Sequence, residues 1–260
     1  MDIVISDAIC RAKVEVRSLM GMSFDEQIRL LSMVDVLEPL SQQQLATLAQ
    51  RYPDIFLEEG QYLYTPQERS ERLYFLKKGR VRIYRVVEGR EVTLAMVEEG
   101  TVFGEMALTH QHLWDSYAQA EQKSVVMTMD RQGLEELILE NPRVGLQTTR
   151  LLSERLHVYE ERIEALTLKQ VPARLASLLL MFAESEGVMT QGEQIRVPTR
   201  YTHEMLATMI GSTRVGVTRA FRRLQDEGAV ELRRRQIYLK DLETLERVAE
   251  QAAPQKQEAE

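Results

Sequence analysis

Asp130 divides this chain into two textures, and the change between them limits the folds available to it. Before Asp130, from about Ile55, short alternating apolar runs are broken by turn pairs: Glu59-Gly60, Lys78-Gly79, Glu88-Gly89 and Glu99-Gly100. The runs Leu73–Leu76, Val81–Val87, Val92–Val97 and Val125–Met129 lie between or beyond them. Arg80-Val81-Arg82-Ile83-Tyr84-Arg85-Val86 alternates with period two, which predicts a strand with one wet face. Strands this short and this regularly interrupted fold as an antiparallel barrel or jelly roll. After Asp130 the apolar period becomes helical. Pro142 suits the first turn of a helix. From Gly145 through Thr149, Leu152, Leu156, Tyr159, Ile163 and Leu166 the spacing alternates between four and three residues. The last five are apolar, which is the pattern of a coiled-coil seam and predicts self-association. Glu154, Arg155, Glu160, Glu161, Arg162 and Glu164 are expected on the solvated faces.

Ahead of the barrel, Phe24–Met33 and the stretch capped by Ser41, with Leu45, Leu48 and Ala49, read as short helices. Pro53 stops the second. Val171-Pro172 closes the long helix, and Ala173–Glu186 forms another. Two short strands follow, one of them around Ile195–Val197. The tail from Gln251 has a disordered composition.

Charge is distributed unevenly. The chain carries a net −7, but the thirty residues from Gly211 to Lys240 hold eight Arg or Lys and three acids, a local +5. A basic island on an acidic chain suits a phosphate-binding surface. At its start, Thr202 caps a helix over His203–Ile210, Gly211-Ser212 turns the chain, and Thr213 caps a second helix ended by Gly228. That pattern is a helix-turn-helix. Val217, Ala220, Phe221 and Leu224 fall on one face, while Arg214, Val215, Thr218, Arg219 and Arg222 fall on the other. The first turn of such a helix enters the DNA major groove, where arginine can hold guanine with two hydrogen bonds. Ala229–Leu232 and Gln236–Leu239 then pair around Arg233-Arg234-Arg235 as a wing aimed at phosphate. Base contacts are assigned to Arg214, Val215, Thr218 and Arg219. Phosphate contacts are assigned to Thr202, Arg222, Arg233, Arg234 and Arg235.

Phe103-Gly104-Glu105-Met106-Ala107-Leu108 and Ile210-Gly211-Ser212-Thr213-Arg214-Val215-Gly216-Val217-Thr218-Arg219, in this order around a long helix, resemble the cyclic-AMP receptor protein / fumarate-nitrate regulator family. The likeness runs from about Leu37 to Leu245. It is nearer the nitrogen-control branch, because the cyclic-AMP branch has glutamate where Val215 stands. The resemblance implies a homodimer on a palindromic promoter site, base contacts from Arg214 and Arg219, phosphate contacts from Thr213 and His203, and activation through RNA polymerase. A repressor of the same fold is the alternative.

The corresponding effector pocket comprises Phe103, Gly104, Glu105, Met106, Trp114, Asp115, Ser116 and Tyr117. Cyclic-nucleotide binders of the family use a Gly-Glu pair for ribose and an Arg-Ser or Arg-Thr pair for phosphate. Gly104-Glu105 is present, but the second pair reads Asp115-Ser116, and no cation lies between Phe103 and Glu121. A buried phosphate without a cation is costly, so cyclic AMP is not expected. The dicarboxylate-binding arginine of the nitrogen-control branch is missing from this segment too. Leu113, Trp114, Tyr117 and Met106 form an apolar lining, read as a filled core in preference to a site for an apolar ligand. Haem, through His110 or His112, is the lesser variant. Gly104 with His110-Gln111-His112 also fits the first half of a cupin metal motif, but Ser116 and Tyr117 stand where the glutamate ligand is needed. A cupin-like enzyme fused to a DNA-binding domain is therefore the rival class, and no cofactor, metal or enzyme activity is predicted. With one cysteine, Cys10, and no apolar run of membrane-spanning length, a cytoplasmic protein is expected.

The fold class expected is α+β. It comprises an N-terminal extension with helices (1–50), a double-stranded β-helix or jelly-roll sensor domain (51–130), a dimerisation helix (131–170), a winged helix-turn-helix (171–248) and a tail (249–260).

Overall fold

The computed structural model describes residues 23–69, 71–108, 113–190, 194–197, 201–233 and 236–251. Cys10, His110, His112, Arg234 and Arg235 lie outside the described residues. The chain separates into two compact units between Glu154 and Arg155.

The first unit opens with α1 (Phe24–Leu31) and α2 (Gln42–Arg51). Ser41 caps α2 in a reciprocal box: its hydroxyl accepts from the Gln44 amide, and Gln44 Oε1 accepts from the Ser41 amide at 2.9 Å. Eight strands follow: β1 (Asp54–Leu57), β2 (Tyr62–Tyr64), β3 (Arg72–Lys78), β4 (Arg80–Val87), β5 (Arg90–Glu98), β6 (Thr101–Phe103), β7 (Tyr117–Ala120) and β8 (Ser124–Asp130). They form two antiparallel sheets, ordered β1-β8-β3-β6 and β2-β7-β4-β5, which is the jelly roll that the turn spacing predicts. The strands that periodicity does not reveal are β1, β2, β6 and β7. At three or four residues each, they are too short to show a period.

β3 explains why this unit has two cores. Tyr74 and Leu76 point into the barrel, against Leu57, Tyr64, Val81, Phe103, Trp114, Ala118 and Val126. Leu73 and Phe75 point the other way, into a second cluster with Leu31, Val34, Leu37, Leu45, Leu48, Met127, Leu134 and Val144. A strand covered on both faces reads as an unbroken apolar run. Lys77 continues it without exposure: its ammonium is paired with Asp54 at 2.8 Å, with both side chains buried.

β4 departs from the expected wet face. Arg80 and Arg82 are only 3% and 7% exposed. Arg80 pairs with Glu98 at 2.7 Å and Arg82 with Glu91 at 2.7 Å. Arg82 also donates to Thr93 and lies over the Tyr84 ring. Cross-strand partners on β5 therefore replace water along this face.

Next come α3 (Arg131–Glu140) and α4 (Pro142–Leu168), then α5 (Val171–Glu186), β9 (Val188–Met189), β10 (Ile195–Val197), α6 (His203–Met209), α7 (Arg214–Asp226), β11 (Val230–Arg233), β12 (Gln236–Leu239) and α8 (Leu242–Ala249). In the second unit α5 is the central helix, burying Ala173, Leu175, Ala176, Leu179 and Phe182. The wing hairpin β11–β12 belongs to a four-stranded sheet ordered β11-β12-β10-β9. The sequence reading did not assign α8. Asp241 caps it, and Leu245, Val248 and Ala249 are buried on one side. No described helix is long and apolar enough to cross a membrane.

Candidate nucleic-acid interface

Local chemistry sets the ends of both helices in the helix-turn-helix. Thr202 Oγ1 accepts from Met205 N at 3.2 Å and Thr213 Oγ1 from Gly216 N at 3.1 Å, so each helix starts on a threonine cap. α6 ends in a Schellman turn: Gly211 takes φ +60°, and Ser212 N reaches back to Ala207 O at 2.9 Å. A side chain at Gly211 would be strained there and would also meet Leu166 Cδ2 at 2.8 Å.

α7 buries Val217, Ala220, Phe221 and Leu224, as its apolar stripe predicts. Arg214, Val215, Thr218, Arg219 and Arg222 are exposed, Val215 by 60%. The structure therefore brings the expected base-reading residues onto one open face. Thr218 differs from the others. Its hydroxyl donates to Arg214 O at 2.9 Å and meets His203 Nδ1 at 3.0 Å. With its single proton used on the carbonyl, the oxygen accepts from His203, so His203 carries a proton on Nδ1. His203 also stacks on Phe221 at 4.9 Å. Burial, and then the charge of Arg214, hold the imidazole pKa below its ordinary value. His203 is thus built into the packing of the motif through Thr218 and Phe221.

The wing is less free than its sequence implies. Arg233 is forked to Glu231 at 2.5 and 2.6 Å and lies over Tyr238. Arg234 and Arg235 fall outside the described residues.

The expected seam on α4 is open to solvent: Leu156 is 59% and Ile163 65% exposed, with Leu152, Tyr159 and Leu166 also exposed. Arg162 corrects the expectation of a solvated charge. It is half-buried, and its Nη2 donates to Met209 O at 2.9 Å. In a sequence it is indistinguishable from its charged neighbours.

In the barrel, Gly104 has φ +89°, and a Cβ there would meet the Tyr74 ring at 2.8 Å and Arg72 O at 2.9 Å. Close packing alone therefore requires glycine. Trp114 stacks flat on Tyr64 at 4.1 Å, and Tyr74 stacks on Phe103 at 5.3 Å. Burial pushes Tyr74 up to about 12, and it raises Tyr64 further even though the Tyr64 hydroxyl is hydrogen-bonded to Ser116. Two expected lining residues are elsewhere. Leu113 is 48% exposed, bridged to Arg69 at the surface. Tyr117 lies on the opposite face of β7 from Ala118, stacked on Tyr84 at 5.0 Å. Asp115 is ion-paired with Arg85 of β4, a cation that no reading of the segment around Asp115 could find.

Comparison with known proteins agrees with this architecture. The cyclic nucleotide-binding domain family matches residues 55–141, and the Crp-like helix-turn-helix domain family matches residues 173–248. The chain is similar to the global nitrogen regulator of Nostoc sp., 32% identical over 193 residues, covering 73% of this chain and 86% of that protein. It is similar to the CRP-like cAMP-activated global transcriptional regulator of Mycobacterium tuberculosis, 26% identical over 221 residues, covering 85% and 98%. Among solved structures, a CooA mutant from Carboxydothermus hydrogenoformans superposes with a TM-score of 0.71 at 25% identity, covering 86% of this chain and 99% of that one. The chain therefore belongs to the cyclic-AMP receptor protein / fumarate-nitrate regulator family of DNA-binding transcription regulators.

Proposed function

We propose that this protein is a cytoplasmic, non-enzymatic homodimer that binds a palindromic promoter site and activates transcription by touching RNA polymerase. The observation that carries this reading is the open face of α7, where Arg214, Val215 and Arg219 stand clear of the packed stripe. Two such helices, one from each protomer, would read two half-sites. The exposed seam from Leu152 to Leu166 supplies the apolar surface for pairing. Arg214, Val215 and Arg219 contact bases, and Thr218 adds its methyl group. Thr202, His203, Thr213, Arg222 and the wing contact phosphate.

Cyclic AMP is not the effector in this reading. Asp115 stands where the phosphate-binding arginine would be and already occupies Arg85, while Tyr64, Tyr74, Phe103 and Trp114 fill the barrel. The packed aromatic core supports a filled pocket over a haem or other apolar ligand. The test is transcription in vitro from a promoter carrying the protein's selected site, with purified bacterial RNA polymerase. Added protein should raise transcript yield, and cyclic AMP should not change the response. Reduced yield from the same site would instead favour the repressor.

A further inference from the structure

Beyond the residues that face DNA, two arginines hold the turn that aims the recognition helix. At the end of α6 the Schellman turn uses the Ala207 carbonyl but not that of Met209. Arg162, from the last third of α4, donates to Met209 O at 2.9 Å. Arg174, from the start of α5, reaches Gly211 O at 3.5 Å. Leu166, one turn beyond Arg162, packs against Gly211, where an added Cβ would meet its Cδ2 at 2.8 Å. Met209 O lies at the negative end of α6, where cations are favoured, and Gly211 O lies in the turn beyond it. They lie just ahead of Arg214, the first residue of α7. Burial lowers the pKa of both guanidinium groups. A long arginine on a helix can usually keep its head in water, so this cost calls for a return.

We infer that Arg162 is a positioning residue for base recognition: it ties the final turns of α4 to the carbonyl end of α6, so that the angle of α7 follows α4. The inference rests on reading α7 as the base-contacting helix. Arg174 is the weaker second grip. Neither residue is among those assigned to DNA, so losing the tie should blur sequence preference without removing a phosphate contact.

The test uses the full chain with Arg162→Met, Arg162→Lys and Arg214→Ala, measuring affinity for a selected site and for random DNA across salt concentration. Arg162→Met should lower the ratio of specific to non-specific affinity on the order of 10-fold, the scale seen when coupling residues off the ligand are changed. Its non-specific affinity and salt slope should stay at wild-type values. Arg162→Lys, which keeps a donor, should recover most of the ratio. If Arg162→Met retains the wild-type ratio while Arg214→Ala loses it, the positioning role is overturned and the DNA face stands. If Arg214→Ala also retains it, the DNA face is wrong and the inference falls with it. A parallel loss of specific and non-specific affinity, unrelieved by lysine, also overturns it. Should Arg162→Met fail to fold, Arg174→Gln takes its place, with a smaller loss of ratio expected and an unchanged ratio counting against the inference.

Discussion

Arg219 and Arg222 sit on the same exposed face of α7, yet they are assigned different work, and the difference is measurable. Arg219→Ala should cost about 1–3 kcal/mol on the preferred site and relax preference at one base pair. Arg222→Ala should weaken all sequences alike and reduce the salt slope by about 1. Competition binding at two salt concentrations separates them, and exchanged phenotypes would reverse the assignment. His203 gives a pH signature. Its folded pKa lies below the ordinary 6.5, so between those values the unfolded chain binds more protons than the folded one. Stability should therefore rise with pH through the window just under 6.5 and level off above it. Thermal melting at pH 5.5 and 7.5 should show a larger difference for wild type than for His203→Gln; equal differences would mean that His203 is not the group responsible. The residue scale is also where sequence reading falls short. Arg85, Arg162 and Tyr117 acquire their roles from partners far along the chain or from strand parity. Asp115, in contrast, could be picked out directly, because its charge conflicts with the expected ligand wherever it points.

At the scale of elements, segments marked by a stripe, cap or turn were legible, and four of the shortest barrel strands were not. α4, α7 and the wing hairpin have caps, stripes and turn residues that agree with one another. β1, β2, β6 and β7 are held by pairing with strands distant in sequence, which leaves little trace in three or four residues. The Arg80–Arg82 face looked solvated because alternation reports only that one side is polar; the acids on β5 that cover it are a tertiary fact. The seam on α4 is the element with the sharpest consequence. Leu156→Glu with Ile163→Glu places charge at the two most exposed seam positions. Sedimentation should then show monomers in place of the proposed dimer, and the melting temperature should lose its dependence on protein concentration. A variant that remains dimeric would place the interface elsewhere.

For the whole molecule, the order of parts carried most of the information: a barrel with glycine turns, a long seamed helix and a basic winged motif. Each part is ambiguous alone, and together they admit few alternatives. The effector was not legible, since it depends on how completely Tyr64, Tyr74, Phe103 and Trp114 fill the barrel. The central claim is that two copies of α7 read DNA together. It is tested most directly by selecting binding sites from a randomised duplex library with the purified wild-type protein and no added ligand. The account predicts an enriched inverted repeat with a guanine in each half-site, the half-sites spaced about one helical turn centre to centre. Enrichment of a lone half-site, or of no sequence at all, would contradict it.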